Sequence, residues 1–109
     1  MNAIADILER AADRLSKPGA WTQGWFARSA SGRRVMANSR RATCWCANGA
    51  IMAELDSPYA MAINQRVATL AGFDSLLELS YFNDDPARTQ DQVVTTLRNA
   101  AQKAREQGA

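Results

Sequence analysis

The sequence predicts an α+β domain, mostly helical, with four to five helices around one core and a small β-hairpin near residues 24–36. Three observations carry this. Apolar residues recur at helical spacing over residues 2–15 and again from Val93 onward. Between them, residues 21–43 lose that period and hold aromatics around Ser29-Ala30-Ser31-Gly32, which is turn chemistry. Breaks at Ser16-Lys17-Pro18-Gly19, at Gly72 and at Asn83-Asp84-Asp85-Pro86 divide the rest into helix-sized pieces. A chain of 109 residues is one domain, 1–109, and is long enough to bury a core without disulfides or metal.

The first helix is amphipathic. Ile4, Ile7, Leu8, Ala11 and Leu15 form its stripe, and Asp6, Glu9, Arg10, Asp13 and Arg14 lie elsewhere around it. Gly24-Trp25-Phe26-Ala27-Arg28 and Arg33-Arg34-Val35-Met36 read as the arms of the hairpin, and 37–42 as a polar, basic loop. Thr43 then caps a helix from Cys44 to about Leu55, with Cys46, Ala47, Ala50, Ile51 and Leu55 inside. Gly49 and Ala50 are small enough for another backbone to approach. Ser57 at N-cap and Pro58 at N1 open a third helix, whose inner face is Ala60, Ile63, Val67, Leu70 and Ala71 and which ends at Gly72. Asp74 starts a short helix through Leu76, Leu77 and Leu79. Thr89 and Gln92 match a capping box, and Val93, Val94, Leu97, Ala100, Ala101 and Ala104 give the last helix a one-sided stripe. The first and last helices are expected to pack together.

Charge is unevenly spread. No acidic residue lies between Asp13 and Glu54, an interval holding Arg14, Lys17, Arg28, Arg33, Arg34, Arg40 and Arg41. From Glu78 to Asp91 the balance reverses, with Asp84 and Asp85 between them and Arg88 alone opposing. Two solvated faces account for such a split. A basic segment that meets phosphate or an acidic protein surface accounts for it more sharply. No apolar run is long enough for a transmembrane helix, and the N-terminus lacks a basic, then apolar, leader. A cytoplasmic protein with free thiols and no membrane partner is therefore expected.

Chemistry is sparse. The chain has no histidine and two cysteines, Cys44 and Cys46, whose spacing does not match a zinc half-site. No metal and no cofactor is expected. A catalytic thiol needs an activator. A helix N-terminus beside arginines would serve Cys44, and Asp84 offers a carboxylate. These two are the only catalytic candidates, and a cysteine- or carboxylate-based enzyme is the alternative to a binding protein. Cys46 as a small buried hydrophobe and Cys44 as an incidental residue explain both without catalysis.

The binding reading uses more of the sequence. Arg28, Arg33, Arg34, Arg40 and Arg41 would meet negative charge, and Trp21, Trp25 and Trp45 would supply apolar or stacking contact. Gln23 and Asn83 would read polar edges of the ligand. The partners so implied are an acidic protein surface, a nucleic-acid-binding host protein or a nucleotide-like ligand. Core anchoring explains any single tryptophan equally well. An Asx turn closed by an Asp84–Arg88 pair explains Asn83-Asp84. Glycine-rich phosphate loops are absent. A helix-turn-helix over 58–80 fails, because its second helix carries Asp74 and Glu78 and no basic residue. Weak, non-specific nucleic-acid binding is a third reading.

Taken in order, Trp21-Thr22-Gln23-Gly24 with Ala27-Arg28, Cys46-Ala47-Asn48-Gly49-Ala50, and Phe82-Asn83-Asp84 with Arg88-Thr89 and Val93 resemble the motif blocks of an uncharacterised family. Its members are small proteins of bacteria and their phages, known as a domain of unknown function. The resemblance runs from the first helix to the last. It implies a single small α-rich domain in a phage or mobile-element setting and supplies no activity. An accessory protein that binds rather than catalyses, one version being an anti-defence inhibitor, is the function expected.

Overall fold

The computed structural model describes residues 4–55 and 60–108. Among them are five helices and a three-stranded antiparallel sheet: α1 (Ile4–Ser16), β1 (Ala27–Ser29), β2 (Arg34–Val35), β3 (Ala42–Trp45), α2 (Ala47–Leu55), α3 (Ala60–Leu70), α4 (Leu76–Asp84) and α5 (Gln90–Glu106). The mostly helical α+β fold is as the sequence predicts.

α1 and α5 form the backbone of the core. Ile7, Leu8, Ala11, Ala12 and Leu15 meet Val93, Leu97, Ala100, Ala101 and Ala104 in one buried cluster. Alanines on both stripes let the two helices approach closely. The pair is antiparallel: Gln90 Nε2 at the start of α5 donates to the Leu15 and Lys17 carbonyls at the end of α1, at 2.6 and 2.8 Å. Those carbonyls have no acceptor role left inside α1, so Gln90 acts as its cap. Outside the apolar seam, Arg98 bonds Glu9 and Asp13, each at 3.0 Å, and Arg105 bonds Glu9 at 3.1 Å. The capping box of α5 forms as expected, with Thr89 accepting from Gln92 N and the Gln92 side chain accepting from Thr89 N.

The sheet is ordered β2-β1-β3. β1 and β2 make the predicted hairpin, with Arg28 opposite Arg34. Its turn uses Gly32 at φ +84, a backbone conformation that needs glycine. β3 corrects the sequence reading, which places a Thr43-capped helix from Cys44. Thr43, Cys44 and Trp45 suit a strand, and β1 offers them a free edge, with Arg28 opposite Cys44 and a bulge before Ser29 opposite Ala42. The helix begins later. Cys46 takes the cap position, and its Sγ accepts from Gly49 N at 3.3 Å.

α2 is buried at its start on every side, from Ala47 through Ile51. Cys46 N donates to Phe26 O at 3.1 Å, and a Cβ on Gly49 would stand 2.7 Å from the Phe26 carbonyl carbon. Gly49 therefore lets the sheet's leading loop lie directly on the helix. The Ser57-Pro58 opening of α3 lies outside the described residues. Gly72, at φ +94, ends α3 as expected. Ser75, rather than Asp74, caps α4 by accepting from Glu78 N. α4 continues through Asn83 and Asp84, where the sequence suggests a break. The chain turns only at Asp85-Pro86, with Arg88 N bonding Asp85 O at 2.9 Å.

Candidate functional site

Two surfaces and one buried knot hold the residues singled out from the sequence. The knot centres on Asn83. Its Oδ1 accepts from Trp21 Nε1 at 2.8 Å and from Ala47 N at 3.0 Å. Its Nδ2 donates to Thr22 O at 3.1 Å and to Asp84 Oδ1 at 2.9 Å. An amide side chain has two donor hydrogens and two acceptor lone pairs, so Asn83 is saturated. Gln23 Nε2 donates to Asn83 O and Asp85 O, and Gly24 N donates to Asp84 Oδ1 at 3.0 Å. These bonds answer the carbonyls and carboxylate at the end of α4. Trp21, Gln23, Asn83 and Asp84 are thus brought together, with their polar atoms turned inward on one another.

The expected Asp84–Arg88 pair does not form. Arg88 approaches Asp85 at 3.9 Å, donates through Nε to Phe82 O at 2.8 Å and lies 3.7 Å from the Phe82 ring centroid. Asp84 is already committed to Gly24 and Asn83.

The cysteines separate in role. Cys44 sits half-buried on β3, its Sγ 3.8 Å from Arg28 O, so no helix terminus acts on it. Cys46 holds the terminal position instead. Burial pushes its thiol up to about 11; the Gly49 N–H pulls the other way and the nearby Asp84 charge adds to the rise. Cys46 is a protonated thiol at neutral pH, the opposite of what a nucleophile needs. It lines a cleft of about 130 Å³ with Gly24, Trp25, Phe26, Ser80 and Asp84. Among the described residues no grouping of three or more Cys, Asp or Glu could hold a metal ion.

The first surface is the sheet end that carries the arginines. Pairing of Arg28 with Arg34 and of Ser29 with Ala42 brings the β1–β2 turn and the start of β3 to the same end. Arg33, Arg34, Arg40 and Arg41 are all exposed there. None of the four has an ion-pair partner among the described residues, whereas Arg10, Arg14, Arg88, Arg98 and Arg105 each face a carboxylate. Arg28 is different: it is half-buried and clamps the loop, donating to Gly32 O and Gln23 O at 3.2 and 3.3 Å. Arg34 reaches back over the Trp25 ring, 4.9 Å from its centroid. Trp25 and Phe26 pack on each other at 5.5 Å, and each is 39% exposed. Trp25 is the indole left outside. Trp45 gives its N–H to Ala37 O at 2.9 Å, as Trp21 does to Asn83.

Sequence reasoning missed Phe26, Leu77 and Tyr81, which extend this aromatic surface. Leu77 and Tyr81 are exposed and share the face of α4 that carries Ser80 and Asp84 beside Trp25 and Phe26. Their spacing, offset from the buried Leu79 and Asn83, is the signal that identifies them.

The second surface is a groove of about 580 Å³ between the end of α1 and β3, with Trp45 in it. Arg14 lies 4.5 Å from the Trp45 ring centroid. Arg10, Arg14 and Lys17 were not among the sequence candidates, because nothing in the sequence pairs α1 with β3.

Fold and surfaces together define a small α+β protein with a basic, aromatic sheet end. Its first 103 positions match the model of DUF6197, a family of unknown function, and the chain belongs to that family. No curated protein and no solved structure matches it. No described helix is long and apolar enough to cross a membrane.

Proposed function

We propose that this chain is a non-catalytic binding protein that docks on a negatively charged macromolecular surface. Arg33, Arg34, Arg40 and Arg41 supply the charge, and Trp25 with Phe26 supplies the apolar anchor. The observation that carries this is the stacking of Arg34 on an exposed Trp25, beside arginines with no ion-pair partner among the described residues. Guanidinium and indole are the groups that dominate protein interfaces, and stacking pre-orders both before the partner arrives. A buried Cys46 and a half-buried Cys44, in a chain without histidine, argue against a thiol enzyme.

The partner of choice is an acidic protein surface inside the cell. The resemblance to proteins of bacteria and their phages gives this a concrete form: an accessory protein that covers a nucleic-acid-binding host protein, as an anti-defence inhibitor would. A pull-down from host lysate with wild type and the Arg33/Arg34/Arg40/Arg41→Ala variant tests it. Wild type retains a defined protein that the variant loses while keeping its circular dichroism spectrum. Equal capture by both overturns the docking surface. Binding of a random oligonucleotide that falls steeply with salt would favour the nucleic-acid reading instead.

A further inference from the structure

We propose a second binding site, the groove between α1 and β3, for a small aromatic phosphomonoester of the nucleoside monophosphate type. The site is separate from the hairpin surface and stands without it. Its volume, about 580 Å³, lies in the range of small-molecule pockets.

The groove is built around a fixed indole. Trp45 N donates to Ala20 O at 2.8 Å, Thr22 N donates to Trp45 O at 3.0 Å, and the Trp45 indole N–H is held by Ala37 O. Backbone on one side and ring on the other are both fixed before any ligand arrives. Arg14 is fixed as well, donating through Nε and an η nitrogen to Glu54 Oε1 at 3.1 and 3.0 Å. Arg14 already covers one face of the Trp45 ring, so the outer face of its guanidinium is the flat surface on which a heterocycle stacks.

Charge then selects the other half of the ligand. Arg10 and Arg14 share one carboxylate, Glu54, with Arg10 Nε at 3.4 Å. Asp13 also lines the groove, but its carboxylate bonds Arg98 on α5 at 3.0 Å. Lys17 lines the groove with no carboxylate partner among the described residues. Three cations against Glu54 leave two positive charges, which match a phosphate monoester dianion. Thr43 stands on the same wall, its hydroxyl donating to Arg28 O at 3.4 Å.

The test uses the intact chain, AMP as probe, and adenosine and inorganic phosphate as its separated halves. Calorimetry gives affinity, and the three indole N–H signals in a nitrogen-15 spectrum give location. AMP is expected to shift the Trp45 signal and leave that of Trp25 in place. Adenosine and phosphate alone should each bind at least about tenfold more weakly than AMP. Lys17→Glu, at an exposed position, should weaken AMP by about tenfold or more, the scale of one lost charge-assisted contact. Arg33→Ala should bind AMP as wild type does. No Trp45 shift at millimolar AMP, a shift at Trp25 instead, unchanged affinity in Lys17→Glu, or equal binding of either half would each overturn the assignment.

Discussion

Replacing Gly49 by alanine isolates the contact on which the sheet and helix layers meet. In an ordinary helix this change stabilises by about 1 kcal/mol, because glycine has the greater backbone freedom to lose. Here the added methyl would be driven into the Phe26 carbonyl, 2.7 Å from its carbon and 3.1 Å from its Cα. The obstacle is main chain, so no rotamer change clears it. α2 and the loop before β1 must move apart. Overpacking of that kind costs about 1–3 kcal/mol, and the upper end applies to backbone. The displacement also strains the Cys46 N–Phe26 O bond, worth about 1 kcal/mol. Against the helix gain, the net loss is about 2–3 kcal/mol, a sizeable part of a stability of about 5–15 kcal/mol. Thermal unfolding followed by circular dichroism should show Tm lowered by roughly 8–20 °C. A Gly49→Ala protein that melts at or above wild type would refute the reasoning, since helix propensity alone would then have decided the outcome.

Asn83→Ala leaves the Trp21 N–H and Ala47 N–H without their acceptor. It should lower urea-unfolding stability by about 3 kcal/mol, and Asn83→Asp, which keeps that acceptor but sets a buried carboxylate against Asp84 Oδ1 and the Thr22 carbonyl, should lose at least as much. A loss below about 1 kcal/mol in either variant would discount the knot. For Cys46 the folded state holds the proton more tightly, with the thiol raised from 9.0 to about 11. Its contribution is therefore intact below pH 9 and lost as pH rises from 9 through 11, by about 2–3 kcal/mol. Wild type should show that extra decline in denaturant titrations when compared with Cys46→Ala. Parallel pH profiles of the two would count against a buried thiol.

The parts of the fold legible in the sequence are those decided locally. The stripes of α1 and α5 are one-sided, and the Thr89–Gln92 box names its own helix end. β3 was hidden because Cys44-Trp45-Cys46-Ala47 fits the start of a helix as well as a strand, and only the free edge of β1 decides between them. The candidate site divides in the same way. An acid-free interval makes the exposed arginines visible in one dimension. The knot joins Trp21 to Asn83 across most of the chain, and the groove joins Arg14 to Trp45. No local pattern announces either pairing. Asn83-Asp84 accordingly reads as a turn, although its side chains serve partners elsewhere.

The Asn83 knot also gives the molecule a built-in gauge. Its four hydrogen bonds tie the segment after α1 and the start of α2 to the end of α4. The indole proton of Trp21 should trade with solvent deuterium only when the whole domain comes undone, while that of Trp25 trades freely. Two signals in one spectrum would then separate global opening from events at the exposed rim.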